Sequence, residues 1–564
     1  MISSSTWVPR GFASEFPEKY ELNDEEMERI TAMANLELSD AKQQLEEAQA
    51  EESKPSLQEQ IEIDDDLKEY NLESYDDDEV DPNGEPITMF PGLSNTDAKL
   101  IQGDEEGEQF LSLPTEVDLQ EEKQENQIYP TDNLVLATRT EDDISYLDVY
   151  IYDDGAGAPQ GSTEEEEDKL DPDVANGLVR DSNLYVHHDI MLPAFPLCVE
   201  WINYNPKSEA NDHIGNFAAI GTFDPSIEIW NLDYIDKAFP DLILGEPEMN
   251  SFTAISKKKS KKKKSAHVTT HHTDAVLSLS HNRIHRSVLA STSADNTVKL
   301  WDLNNGTAVR SFNTIHHNKT VSSSQWHPVE SQILLTGGYD STIGLTDVRI
   351  SDASASTKHY KVSPGEEVEN VRWGHTSIPE IFYAGTDNGN IYAYDVRVVD
   401  KPLWTLHAHD SGISSLDVNN HIPGMLISSA MGEKSVKLWK CPSTGGPSMI
   451  LSRDFGLGNV LTTSFAGDIE VAGNLTIGGV SGALKMWDSL SNGSVRNAFK
   501  DELKTLQVKA KEEAIKIGRA SRIARKYHGD ASEDVMTVEA GGLEDDSDSD
   551  GEDAQLDMED EDEE

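Results

Sequence analysis

Short, mostly β-branched apolar runs recur along the middle of this 564-residue chain, each ending in an aromatic residue and usually then an acid. They read I-E-I-W-N-L-D at 227–233, V-K-L-W-D-L at 298–303, I-G-L-T-D-V-R at 343–349 and I-Y-A-Y-D-V-R at 391–397. V-K-L-W-K at 436–440 and L-K-M-W-D at 484–488 follow, and V-Y-I-Y-D-D at 149–154 precedes them. Runs this short, rich in Val, Ile and aromatics, predict strands and not helices. The equivalent positions are Tyr152, Trp230, Trp301, Thr346, Tyr394, Trp439 and Trp487.

Successive spacings are 78, 71, 45, 48, 45 and 48 residues. The last four lie near the ~40–45-residue period of a four-stranded propeller blade. The first two carry visible insertions, the acidic stretch 163–172 and the lysine stretch 257–264. Seven copies predict seven blades. An Asp stands six residues before the aromatic position at Asp224, Asp295 and Asp340, and Asp387 stands seven before Tyr394. Such an Asp suits a tight turn, because its carboxylate bonds nearby amides. A His precedes several copies (His272, His316 or His317, His407 or His409), and Trp201, Trp326 and Trp373 form a second aromatic series with Phe465 and Leu416 in similar places. The second series reads as inner-strand residues packed between neighbouring blades. This pattern resembles the WD-repeat β-propeller family, with departures at Thr346, Tyr394 and Lys440 and no turn Asp in the sixth copy.

The expected fold is all-β: a seven-bladed WD-repeat propeller over 131–499, flanked by helical and disordered acidic extensions. Residues 494–499 are the expected final strand. In the first copy, 133–139, 145–152 and 184–192 supply three strands, and the segment just before residue 131 is expected to supply the fourth.

The flanks follow other patterns. Asn23 with Glu26 forms a capping box, and Met27, Ile30 and Met33 or Ala34 mark one helical face; Ser39 caps a second helix reaching about Glu52. Residues 60–130 mix acidic runs with spaced apolar anchors, among them Tyr70, Tyr75 and Phe90, the form of a segment that wraps a partner. The whole stretch 1–130 is therefore expected to be an acidic extension with short helices. Residues 500–529 predict a basic amphipathic helix, with Lys516, Arg519, Arg522, Arg525 and Lys526 crowding its end. Residues 530–564 predict a disordered acidic tail.

Charge sharpens this division. The chain carries a formal net charge of −59. Residues 1–130 hold −28, the insertion 155–177 holds −6 and residues 543–564 hold −14, leaving −11 for the rest. The propeller body is thus ordinary, and the acid belongs to segments that cannot bury a core. Against it stand seven lysines in eight positions, Lys257, Lys258, Lys259, Lys261, Lys262, Lys263 and Lys264, within an inter-blade loop at 250–268. They read as a nuclear targeting signal, an RNA phosphate contact, or both. Ser547 and Ser549 each have an acid three residues on, resembling acidophilic kinase sites.

Candidate chemistry is sparse. Two cysteines exclude a disulfide scaffold and fit a reducing compartment. No apolar run approaches ~18 residues, so no membrane span is expected. No phosphate-binding loop, nucleophile elbow, zinc-protease or C-x-x-C motif occurs. The adjacent His pairs do not suit chelation, because neighbouring strand residues face opposite sides. Neither an enzyme, a metal, a cofactor nor a small-molecule substrate is expected.

Beyond the repeats, the chain resembles the periodic tryptophan protein 1 family. The opening Trp7–Phe12, which includes Arg10, carries this resemblance together with the segment 70–78, L-Y-V-H-H-D-I-M-L-P-A-F-P-L-C-V-E-W at 184–201, and the acidic tail. The resemblance implies a nuclear, nucleolar factor in assembly of the large (60S) ribosomal subunit and pre-rRNA processing. It would bind pre-rRNA and other assembly factors, as a monomer within a larger complex, with Trp7, Arg10, Phe12, Tyr70, Tyr75 and Phe90 expected to meet partners. A chromatin-binding propeller and a ubiquitin-ligase substrate adaptor remain alternatives.

Overall fold

The computed structural model describes residues 1–20, 99–102, 109–112, 123–124, 126–154, 182–208, 212–245, 267–350, 353–442, 445–517, 521–527 and 535–538. They divide into two units. In the smaller, Lys19–Gln127, the described strands Lys99–Gln102 and Gln109–Ser112 form an antiparallel hairpin. The larger, Met1–Glu18 with Ile128–Glu564, is a seven-bladed β-propeller, each blade a four-stranded antiparallel sheet.

The third blade shows the local logic. Its strands run Val276–His281, Val288–Ser293, Val298–Asp302 and Thr307–Phe312 from the inside out. In Val298–Asp302, four consecutive residues through Trp301 are at most 7% exposed, Lys299 included. A strand buried on both faces must lie between two covering layers, which here are the neighbouring blades. Lys299 survives there because its Nζ donates to the Val268 carbonyl and the Ser311 hydroxyl, both at 2.7 Å. Lys437 and Lys485, at the same place in the V-K-L-W-type runs, donate likewise to the carbonyls of Ala408 and Phe455.

Closure departs from the sequence expectation at both ends. The inner strand of the first blade is Ile2–Val8, paired with Asn133–Glu141, and not a segment just before residue 131. The outer strand of the last blade is Val535–Val538, paired with Leu484–Trp487, inside the stretch expected to be a disordered tail. Residues 494–499, expected as that strand, belong instead to the helix Gly493–Ala498 and its C-cap. The reason is local: the Asn492 side chain accepts from the amides of Ser494 and Val495, a helix N-cap.

Neighbouring blades are joined by a repeated inner-strand device. The amides of His281, Trp326, Trp373 and Phe465 donate to Glu200, Ser280, Gln325 and Asp417 of the preceding blades, at 2.6–3.2 Å. The indoles of Trp7, Trp326 and Trp373 donate to the preceding carbonyls of Ser464, Ser280 and Gln325. Trp326 and Trp373 of the second aromatic series are therefore inter-blade clasps and Trp7 is their copy in the first blade, whereas the Trp201 indole donates to Asn216 of its own blade. In the sixth blade Val418, not Leu416, takes the equivalent register, opposite Leu426 as Trp326 stands opposite Leu334.

In three blades a turn acid bonds a His and holds the sheet together internally. Asp295 accepts from His272 Nδ1 (3.0 Å), His272 Nε2 meets Ser291 (2.7 Å), and Trp301 Nε1 donates to Ser291 (2.8 Å). The fourth blade repeats this with His316, Asp340 and Thr336, and Thr346 stands where the Trp would be. The sixth blade has a turn acid after all: Glu433 bonds His409 (2.7 Å), His409 Nε2 meets Ser428 (2.8 Å), and Trp439 Nε1 donates to Ser428 (2.9 Å). Glu433 lies six residues before Trp439, hidden from a search for Asp alone. In the fifth blade Asp387 accepts from the Glu367 amide, and in the second Asp224 sits exposed in the turn while Trp230 donates to Glu228. Trp487 is 1% exposed and packs against Phe455.

Burial works to raise the Asp295 and Asp340 carboxyls, yet the imidazole bonded to each overrides it and holds both well below the ordinary range. The same balance brings Glu433 down to about 2. Burial lowers His272 and His409 from the ordinary 6.5 despite their acids. These rings stay neutral in the folded blade at pH values where the unfolded chain protonates them. Their contribution is full above 6.5 and is lost as pH falls below it. Replacing both by Gln is expected to flatten the dependence of Tm on pH between 7 and 5, read by calorimetry at constant ionic strength. Trp7→Ala removes a clasp and a buried indole, and is expected to cost about 3–5 kcal/mol in denaturant unfolding.

Candidate functional site at the ring seam

The seam between the seventh and first blades gathers residues 1–12 with 521–527 and 535–538. Trp7, 6% exposed, meets Tyr152 edge-on at 6.2 Å. Arg10 Nη2 bonds Asp154 at 2.5 Å, its Nε donates to Asn133 at 2.7 Å, and its amide donates to Asp468 at 3.0 Å. Asn133 also donates to Asp468. Phe12 packs edge-on against Trp201 at 4.8 Å. Trp7, Arg10 and Phe12, expected to meet partners, are thus occupied by their own chain. An aromatic and basic cluster in an acidic arm resembles a docking motif, and here it belongs to the first blade's inner strand and the turn after it, against the seventh, first and second blades. Beside it, burial and then the charge of Asp153 push the Asp132 carboxyl up to about 7.

The C-terminal segment packs on the same seam. Arg522 is 6% exposed, with Nη1 at 3.4 Å from the Tyr152 hydroxyl. Ser521 and the Ile523 amide donate to Glu470, and Tyr527 donates to Asp488 at 2.7 Å. Arg522, expected on RNA, is a structural residue, because its charge lies beneath the seam near Asp154. Lys516 is different: it is exposed on the last turn of the helix Lys500–Ile517. Arg525 and Lys526 belong to the short helix Ile523–Lys526. Arg519 lies outside the described residues.

The helix Lys500–Ile517 is two-sided. Leu503, Leu506, Ala510 and Ala514 are buried at helical spacing, continuing the apolar cluster of the last two blades. Glu502 pairs with Lys440 of the sixth blade at 2.8 Å. The rest of the helix exposes Lys500, Lys504, Lys509, Lys511 and Lys516 together with Asp501, Glu512 and Glu513. Lysines on both flanks of a helix fixed on a rigid body can meet phosphate without ordering a new segment.

Lys257, Lys258, Lys259, Lys261, Lys262, Lys263 and Lys264 lie outside the described residues, in the connection from the second blade's outer strand Leu242–Leu244 to the third blade. Tyr70, Tyr75, Phe90, Ser547 and Ser549 also lie outside them. Among the described residues no group of three or more His, Cys, Asp or Glu could hold a metal, and no helix is long and apolar enough to cross a membrane. A cleft of about 160 Å³ between the fifth and sixth blades is lined by Tyr383, Leu403, Trp404 and Cys441. Burial pushes the Cys441 thiol up to about 12, far from a nucleophile's range.

Sequence reasoning missed Asn133, Asp154, Asp468 and Glu470, which carry no repeat signature. The V-K-L-W lysines were visible as a repeat and could have been found.

The model of the family described as WD domain, G-beta repeat matches residues 263–302 and 400–440. The chain is 58% identical over 580 residues to periodic tryptophan protein 1 of Saccharomyces cerevisiae, spanning 99% of this chain and 100% of that one. It is 38% identical to an uncharacterized WD repeat-containing protein of Schizosaccharomyces pombe, over 92% of this chain and 94% of the relative. With a periodic tryptophan protein 1 homolog of Drosophila melanogaster it shares 32% identity, over 81% and 88%. A likeness running through the arms as well as the blades, and not repeats alone, places this chain in the periodic tryptophan protein 1 family.

Proposed function

We propose that this protein is a non-catalytic nucleolar scaffold in assembly of the large (60S) ribosomal subunit and pre-rRNA processing. Its propeller binds assembly factors, and its basic segments bind pre-rRNA. The observation that carries this reading is the helix Lys500–Ile517, anchored on the propeller with its five lysines exposed. Family membership supports a WD-repeat interaction platform. The lysine loop 257–264 is a second phosphate contact or a nuclear address in the same scheme. The acidic tracts restrict RNA binding to sites where a partner already holds the factor, because like charge repels free RNA.

Sedimentation with pre-ribosomal particles at moderate salt is the expected behaviour; release from them into the chromatin fraction overturns the proposal. Replacing Lys504, Lys509, Lys511 and Lys516 by Ser is expected to leave Tm nearly unchanged and weaken RNA crosslinking. The slope of log K against log salt should shrink by about 3. Arg522→Ala is expected to do the reverse, lowering Tm with little change in that slope. Replacing Lys257–Lys264 by Ser should reduce RNA crosslinks or nuclear entry, and unchanged crosslinks with unchanged location would remove the loop from the scheme.

A further inference from the structure

In an antiparallel propeller the connections from first to second strand and from third to fourth strand emerge together on one face. The helix Lys500–Ile517 lies in such a connection, between the seventh blade's strands Leu484–Asp488 and Val535–Val538. The cleft between the fifth and sixth blades opens among others on that face, walled by His375, Tyr383, Leu403, Trp404, Gly424 and Cys441. Helix and cleft are neighbours. Lys440, next to Cys441, bonds the Ala498 carbonyl and Glu502 at the start of the helix, at 2.5 and 2.8 Å. Farther along the helix, the charge of Lys509 acts on His375.

Two polar groups of the cleft wall stand unused. The Tyr383 side chain is 7% exposed, and its hydroxyl has no hydrogen-bond partner among the described residues yet is not sealed from solvent. The space that reaches it is the cleft it lines. The Trp404 indole N–H is likewise without a partner among the described residues, and its ring lies 5.8 Å from that of Tyr383. An apolar side chain seated there would cut both groups off from water and return no bond. A planar ring with acceptors on its edge returns both. The cleft measures about 160 Å³. A cavity of ~150 Å³ takes one benzene-sized ring. One six-membered ring fits that space and a fused pair does not.

The mouth favours a phosphate. His375 Nδ1 accepts from the Ser377 amide at 3.0 Å, so its proton is on Nε2. Burial, then the charges of His421 and Lys509, hold His375 below its ordinary value, so the ring is neutral at pH 7. Lys509, exposed, is a permanent cation beside it. In the adjoining fifth-blade loops Asp395 pairs with Arg397, Glu380 also acts on Arg397, and Asp400 stands beside Lys401.

We propose that this cleft takes one unpaired pyrimidine base of a single-stranded RNA, with Tyr383 and Trp404 bonding its polar edge and Lys509 meeting the adjoining phosphate. Unpaired bases are read in this way, by ring contact and edge bonds beside a cationic track. The inference rests on the RNA-binding reading above and narrows it: the helix holds backbone and the cleft holds a base.

The test uses the full chain and a fluorescent ten-nucleotide U strand, followed by anisotropy at fixed salt. The comparison is the Tyr383→Phe, Trp404→Phe variant, which keeps both rings and all charge. At least fivefold weaker binding of the U strand by the variant is expected, with an unchanged salt slope and equal binding of an RNA duplex by both proteins. Equal affinity for the U strand, or the same loss on the duplex, overturns the cleft assignment and leaves the RNA reading standing. Failure of the wild type to bind either RNA overturns both. The same loss on a ten-nucleotide A strand overturns the choice of a pyrimidine. In a second experiment a photo-crosslinking amino acid replaces Leu403, on the rim, in assemblies purified from cells. A crosslink to RNA is expected; a crosslink to a protein segment, or none, overturns the proposal.

Discussion

The constraint on which the molecule depends is that no blade can bury its own faces. Each four-stranded sheet is apolar on both sides, so an isolated blade, or an open row of them, leaves two sheet faces in water. The inner-strand clasp answers this. A side chain of one blade accepts the next blade's amide, and the indoles of Trp7, Trp326 and Trp373 return a bond to the carbonyl. Closure of the ring turns a row into a body without open ends. The strand Ile2–Val8 completes the first blade and also binds the seventh, with Ser5 donating its amide to Thr462 and Trp7 reaching Ser464. The −28 carried by residues 1–130 hides this. The first eight residues of that region are propeller.

What could be read from the residues followed from periodicity. The seven aromatic positions and the turn acids are local and repeated, and the structure places them in seven equivalent sheets. What could not be read was non-local. Nothing near residue 2 signals a partner at 133–141, and strand pairing over such separations leaves no spacing to detect. Val535–Val538 was hidden by its acidic surroundings, although its alternation suits an edge strand. Arg522 looked like its basic neighbours, and only packing separates it from Lys516. Glu433 was missed because Asp was taken as the turn acid, although a longer carboxylate also reaches the His.

The charge of the chain divides spatially as well as along the sequence. The lysines of the helix Lys500–Ile517 stand outside the last two blades, and the exposed carboxylates of Glu141, Asp142, Asp143 and Asp224 fringe the turns of the blades around the seam. One rigid body thus offers chemically opposite surfaces.

The double use of Ile2–Val8 also sets a schedule for synthesis. The first strand leaves the ribosome at the start, yet its hydrogen-bond partner Thr462 lies 457 residues later than Ser5. At ~5–20 residues per second, translation of that interval takes roughly 20–90 s. Throughout it the outward side of the first blade has no neighbour. The seventh blade in turn lacks its outer edge until residue 538 has emerged. A newborn chain of this protein therefore remains an unfinished ring until residue 538 has emerged, and its exposure to aggregation or to a chaperone is fixed by topology.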